Sequence, residues 1–124
     1  MLLSVEALRV SYGNIKALHG LNFEIDEGEI VCIIGANGAG KSTTLKAISR
    51  MVPAEKGSKM TFQGKDLLDY AADKVVSQLG ISHVPEGRRL FDNLTVTENL
   101  QLACFARKDK DQIKEDIKRV FSIF

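Results

Sequence analysis

The amino-acid sequence predicts an α/β fold, in which a mostly parallel sheet with flanking helices carries an antiparallel β layer formed by the first strands. Apolar and polar residues alternate in two early segments, which is typical of half-buried strands. An unbroken apolar run at residues 30–34 then indicates a parallel strand that is buried on both faces. Helical patterns with capping and stop signals follow it.

The antiparallel layer is predicted from residues 8–12 and residues 21–25, where every second side chain is apolar. Gly13 begins a turn between the two strands, and Gly28 ends a second turn in a left-handed position. The remaining elements are predicted as follows: a helix over 43–50 with Leu45 and Ile48 on its apolar face, a strand at 60–62, a helix over 71–79 that ends at Gly80, a strand at 81–84, a helix from Thr95 to about Ala106, and a last helix whose apolar face holds Ile113, Ile117, Val120, Phe121 and Phe124.

The segment after the apolar run fits the pattern G-x-x-x-x-G-K-[ST] at every fixed position. Its glycines permit a tight backbone that turns successive N–H groups inward, as a cradle for an anion. Lys41 reaches the β- and γ-phosphates, and the Ser42 hydroxyl is a ligand for Mg²⁺. The following helix adds the positive field of its N-terminus. The predicted nucleotide-binding residues are Gly35, Ala36, Asn37, Gly38, Ala39, Gly40, Lys41, Ser42 and Thr43.

Composition excludes several other classes of protein. A formal net charge of +1 in a chain with 27% charged residues argues against a nucleic-acid or acidic-lipid partner. No apolar run approaches the length that a membrane span requires, so we expect a cytosolic chain. Cys32 and Cys104 are expected to be packed thiols, and His19 and His83 structural residues, because none has neighbours at metal-ligand spacing.

Three blocks of sequence resemble the ATP-binding subunit of ABC transporters. They are residues 10–13, the phosphate loop, and residues 84–91 followed by residues 94–100. The sequences GANGAGK and VPEGRR look most like those of the branched-chain amino-acid importers, and in particular like the shorter of their two ATPase subunits. The resemblance covers residues 5–124 and implies a P-loop NTPase core. Residues 1–124 would then be the N-terminal part of an ABC-type nucleotide-binding domain.

The resemblance also implies roles for two residues outside the loop. Tyr12 matches the aromatic residue that stacks on the adenine of ATP, although a core-facing strand tyrosine is the alternative. Glu86 stands where most of the family has glutamine, in the loop that links the metal to the membrane partner. A carboxylate suits Mg²⁺, so Ser42 and Glu86 are the predicted metal ligands. A solvated loop glutamate is the alternative for Glu86.

The partners implied by the resemblance are permease subunits in the membrane and a second ATPase subunit. The permease would meet residues 86–100, where Phe91 and Leu94 are apolar, although the two side chains could equally be local core. This arrangement implies a cytoplasmic protein held peripherally on the inner face of the cell membrane. Its expected function is to bind the ATP that powers import of branched-chain amino acids.

The sequence lacks the parts that the family uses for hydrolysis. It contains neither a Leu-Ser-Gly-Gly-Gln-type signature nor an apolar strand that ends in Asp-Glu, so no catalytic residue is assigned. We therefore expect a chain truncated before the signature motif. The alternatives are an isolated non-catalytic nucleotide-binding fragment and an ATPase subunit for another solute. A small kinase or GTPase is disfavoured, because its phosphate loop usually follows the first strand, whereas two predicted strands precede the loop here.

Overall fold

The computed structural model describes residues 1–87 and 89–124, which belong to two units, Met1–His83 and Val84–Phe124. The strands are β1 (Leu3–Tyr12), β2 (Ile15–Ile25), β3 (Lys59–Phe62) and β4 (Lys65–Asp66). The helices are α1 (Lys41–Ile48), α2 (Ala72–Leu79), α3 (Val96–Ala103) and α4 (Lys110–Ile123), and a short 3-10 turn covers Leu67–Asp69.

The sheet of the first unit has the order β2-β1-β3-β4, and each of these neighbouring pairs is antiparallel. β1 runs along β2 so that Leu3 lies opposite Ile25 and Tyr12 lies opposite Ile15. The first residues of β1 pair with β3 on the other side. The predicted antiparallel layer is therefore confirmed, and with it the turn that joins its two strands.

The core of the first unit lies between this sheet and the helices α1 and α2. The alternation along β1 brings Leu8 and Val10 inward, where both are fully buried. Each buried side chain of this size stabilises the fold by roughly 1.5–3 kcal/mol. The core cluster consists of Leu3, Val5, Leu8, Val10, Leu18, Ala47, Met60, Leu67, Val75 and Leu79.

Two predicted strands are absent from the described part of the chain. Residues 30–34 and 81–84 are irregular, and the side chains of Ile30 and Ile34 are 95% and 94% exposed. Apolar residues fit the faces of a parallel strand, but the strand also needs hydrogen-bonding neighbours. Neither segment pairs with a described strand. The prediction of a parallel sheet is therefore wrong for this structure, whereas the α/β class is confirmed.

The exposure of residues 30–34 also affects the predicted environment of Cys32. This thiol is exposed and not packed as expected, whereas Cys104 in the second unit is half-buried, and both thiols are free. Residues 31–33, Leu45 and Ile48 line an apolar groove of about 260 Å³ against one face of β2. Leu45 is 46% exposed, so the expected apolar face of α1 is only partly correct. The buried residues of this helix are Thr43, Thr44 and Ala47.

Local signals place α2 and α3 correctly. α2 ends at Gly80, which has a left-handed φ of 73° and donates its N–H to the Val76 carbonyl at 3.2 Å. α3 begins with the predicted capping box: the Thr95 hydroxyl accepts from the Glu98 N–H at 3.1 Å, and the Glu98 carboxylate accepts from the Thr95 N–H at 3.0 Å. α3 ends at Ala103, earlier than the predicted Ala106.

The last helix, α4, has the predicted apolar stripe, of which Ile113, Ile117 and Val120 are half-buried and Phe121 and Phe124 are exposed. Arg107, which precedes the helix, forms ion pairs with two aspartates, one at the start of α4 and one in its middle. The Arg107 guanidinium donates to Asp109 at 2.6 Å and to Asp116 at 2.8 Å. Arg107 is the main cause of the lowered pKa of Asp109, whereas the pKa of Asp116 is lowered first by the hydrogen bond from the Gln112 side chain and then by Arg107.

Thr95→Ala is expected to destabilise the start of α3 by about 1 kcal/mol, because the Glu98 N–H loses its acceptor. Amide hydrogen exchange in the first turn of α3 measures this loss. Thr97→Ala, an exposed threonine in the same turn, is the matched control. Equal acceleration of exchange in both variants would show that the cap is not the cause.

Hydrogen bonding of the Glu98 carboxylate to Thr95, first to its backbone N–H and then to its side chain, lowers the pKa of Glu98 from its ordinary value of 4.5. The stabilisation by this carboxylate is then complete above pH 4.5 and is lost as the pH falls through the lower pKa of the folded state.

Candidate phosphate-binding site

The loop between residue 34 and α1 contains a tight turn at residues 37–38 and then a bend at residues 39–40. The Ala39 N–H donates to the Ala36 carbonyl at 3.1 Å. Gly38 and Gly40 have φ angles of 87° and 95°, in the left-handed region that other residues avoid. Gly40 is also the residue that precedes the first turn of α1. Gly38 and Gly40 therefore occupy positions where the backbone favours glycine.

Gly40 packs directly against strand β2. A Cβ atom on this residue would lie 2.6 Å from Leu18 Cδ2 and 3.1 Å from the Ala17 carbonyl oxygen. Leu18 is itself a core residue, so it has little room to move. The loop is thus held to the sheet by backbone packing that only glycine permits.

The N-terminus of α1 supplies free backbone donors. The first helical hydrogen bond, which joins residues four positions apart, runs from the Thr44 N–H to the Gly40 carbonyl oxygen at 2.9 Å. By helix geometry, the N–H groups of Lys41, Ser42 and Thr43 have no acceptor within α1. Together with the helix dipole they form a site that favours an anion.

Lys41 is the only residue among 35–43 with an ammonium group. Its Nζ donates to the carbonyl oxygen of Gly35, at the opposite end of the loop. The lysine side chain therefore spans the loop that the backbone donors surround. A phosphate placed there would meet backbone N–H groups and a mobile positive charge together.

Tyr12, at the end of β1, is the second predicted element that the structure brings to this place. Its side chain is 46% exposed, so it is not a core-facing residue. Its hydroxyl oxygen lies 3.2 Å from Oγ1 of Thr43 in the first turn of α1. The phenol ring thus stands at the edge of the phosphate loop.

The two predicted metal ligands belong to different units. Ser42 lies in the first turn of α1, in the first unit, and its exposed hydroxyl is a hard oxygen donor of the type that Mg²⁺ uses. Glu86 belongs to the second unit, so its pairing with Ser42 stays a prediction. Among residues 1–87 and 89–124, no cluster of three or more His, Cys, Asp or Glu side chains could hold a metal ion.

Two features of the site escaped sequence reasoning, namely the packing of Leu18 under Gly40 and the contact between Tyr12 and Thr43. Both join residues that are far apart in the chain. The only available signal was the fixed glycine before the lysine, which indicates a close approach but does not identify the neighbouring residue.

A glycine loop, a helix N-terminus and a lysine in this arrangement are typical of phosphate-loop nucleotide-binding proteins. Comparison with known proteins gives the family. The family model described as ABC transporter matches residues 18–122. The chain therefore belongs to the ABC transporter family.

Individual relatives agree with this assignment. The chain is 40% identical, over 123 residues, to the high-affinity branched-chain amino acid transport ATP-binding protein BraG of Pseudomonas aeruginosa, with 99% of this chain and 52% of BraG covered. It is 35% identical to the xylose/arabinose import ATP-binding protein XylG of Sulfolobus acidocaldarius, with coverage of 82% and 40%.

A solved ATP binding subunit of an ABC transporter has a TM-score of 0.73 and 33% identity, with coverage of 89% and 45%, which confirms the predicted fold family. The chain thus spans about half the length of these three proteins or somewhat less. Within the described residues, no helix has both the length and the apolar character needed to cross a membrane.

Gly40→Ala is expected to damage the loop more than Gly38→Ala does. Both changes place a Cβ at a positive φ, which costs about 1–2 kcal/mol. The Gly40 variant must also displace Leu18, for roughly 1–3 kcal/mol more, whereas nothing lies within 4 Å of a Cβ on Gly38. Thermal unfolding of the two variants measures this difference. Equal losses of stability would contradict the packing of the loop on β2.

Proposed function

We propose that this chain is the ATP-binding portion of an ABC transporter ATPase subunit, with residues 1–124 forming the N-terminal part of its nucleotide-binding domain. The observation that carries the proposal is the placement of the glycine loop, the free amides of α1 and Lys41 within one packed unit. Membership of the ABC transporter family supports it.

In this proposal the phosphates of ATP lie in the loop formed by residues 35–43. The backbone N–H groups and the Lys41 ammonium together stabilise the negative charge of the phosphates, and the dipole of α1 adds to this stabilisation. Mg²⁺, when bound, neutralises phosphate charge in reactions of this type. Ser42 and Glu86 are the residues proposed to hold this ion.

Adenine stacks on Tyr12 in this proposal. The half-exposed ring beside the phosphate loop supports the role, because a base can reach its face while the phosphates remain at α1. Stacking uses the face of the base and not the atoms at its edge, so it contributes affinity without requiring a particular pattern of hydrogen bonds.

The proposed solute is a branched-chain amino acid. The similarity to BraG over 99% of this chain supports this choice, and the weaker similarity to the sugar importer subunit XylG keeps another solute as the alternative. Uptake of labelled leucine and of labelled xylose by cells that lack the corresponding gene would separate these two possibilities.

Permease subunits are proposed to meet residues 86–100 and to hold the protein at the inner face of the cell membrane. In this segment Phe91 is exposed, while Leu94 is half-buried and is therefore partly local core. Asn99 closes the turn: its Oδ1 accepts from the Phe91 N–H at 3.1 Å, and its Nδ2 donates to the Phe91 carbonyl at 3.2 Å. The exposed ring thus projects from a turn that is closed by these two hydrogen bonds.

The parent subunit is proposed to hydrolyse ATP, whereas this chain by itself binds ATP without turning it over. Its sequence lacks the acidic strand that would supply a general base. A second ATPase subunit is the proposed source of the signature that closes over the γ-phosphate. For the isolated chain, a non-catalytic binding fragment is the more accurate description.

Lys41→Ala is expected to weaken ATP binding by roughly 10- to 100-fold, because the lost ammonium is a charged hydrogen-bond donor. Titration calorimetry with Mg-ATP measures the change. Lys46→Ala removes an equal charge from the exposed side of the same helix and should leave binding almost unchanged. Similar affinities in the two variants would argue against the role of Lys41.

Phosphate release from the purified chain with Mg-ATP should not exceed the background that remains with Lys41→Ala. General-base catalysis contributes roughly 10²–10⁴-fold, and the loop itself offers no base. Turnover that disappears in the Lys41→Ala variant would show that catalytic residues lie within this sequence.

A further inference from the structure

We infer that the Tyr12 hydroxyl is a positioning group that joins the base-binding side of the site to the phosphate-binding side through Thr43. This inference rests on the proposed function, since it assigns a second task to the residue proposed to stack on adenine. A stacking residue requires only its ring, and phenylalanine would then serve equally well. The structure gives the hydroxyl a partner of its own.

The partner is placed where it affects phosphate binding. Oγ1 of Thr43 lies 3.2 Å from the Tyr12 hydroxyl, and Thr43 supplies one of the free N–H groups at the start of α1. Thr43 is only 9% exposed, and its β-branched side chain has few rotamers available. A hydrogen bond to this side chain therefore fixes the first turn of the helix and the direction of the ring together.

A second, independent contact joins the same two parts of the unit. Gly40 lies against Leu18 and Ala17 of β2, and Ile15 at the start of β2 lies opposite Tyr12 of β1. The sheet end is thus attached to the loop through backbone packing at Gly40 and through the hydroxyl pair at Tyr12. With both attachments in place, the ring and the phosphate donors are held in one arrangement before nucleotide binds, which reduces the ordering that binding requires.

This arrangement makes a prediction that stacking alone does not make. Inorganic tripolyphosphate has no base, so a residue that acts only by stacking cannot affect its binding. If the Tyr12 hydroxyl holds Thr43, then Tyr12→Phe should weaken binding of Mg-tripolyphosphate as well as Mg-ATP. The expected loss is about three- to tenfold for each ligand, the range for one hydrogen bond.

The experiment is a double-mutant cycle on the 124-residue chain with Tyr12→Phe, Thr43→Val and the double variant. Calorimetric titration with each ligand gives the affinities, and thermal unfolding without ligand gives a second measure of the same coupling. We expect the double variant to lose no more than either single variant. Tyr70→Phe, at the only other tyrosine of the chain, is the matched control and should change neither affinity.

Several outcomes would overturn the inference. Losses that add in the double variant would show that the two hydroxyls act independently. A loss for ATP with unchanged tripolyphosphate binding would leave Tyr12 as a base contact alone, and full affinity of Tyr12→Phe for both ligands would leave its hydroxyl without a role. In each of these cases the proposed function survives. If the wild-type chain binds neither ligand, the proposed function fails and this inference fails with it.

Discussion

The close approach of the Gly40 backbone to strand β2 is the contact on which the rest of the site depends. Leu18 is part of the core and lies where a Cβ on residue 40 would be, so the loop can settle on the sheet only with glycine there. The left-handed φ of this residue then turns the chain directly into α1. Because the turn is fixed at this point, the free N–H groups and Lys41 face the same space.

The elements of the fold that could be predicted are those that depend on neighbouring residues in the sequence. The alternation along β1 and β2, the stop at Gly80 and the capping box at Thr95 each depend on a few neighbouring residues, and each prediction is confirmed. The run at residues 30–34 is equally distinctive in sequence but is not a strand in this structure. A parallel strand depends on neighbours that arrive from distant parts of a chain, so its local pattern is necessary but not sufficient.

The same distinction separates the predicted parts of the site from those that were missed. The loop residues 35–43 follow from fixed spacing, because phosphate binding needs consecutive backbone donors beside a lysine. The support beneath them, from Leu18 to Gly40 and from Tyr12 to Thr43, spans separate elements of the fold. No spacing rule encodes such contacts, since they arise only when the sheet and the helix pack together. Sequence therefore identifies the residues proposed to face the ligand more readily than the residues that support them.

The chemical character of the loop supports the proposal that this chain binds nucleotide without hydrolysing it. Residues 35–43 contain no carboxylate and no imidazole, and their polar groups are backbone amides, an amide side chain, hydroxyls and one ammonium. Such groups neutralise phosphate charge well, but near neutral pH none of them readily accepts a proton from an attacking water molecule. The loop can therefore stabilise bound nucleotide without accelerating its loss. In the proposed function, hydrolysis would require a base from outside residues 35–43, and the arrival of that base would then control turnover.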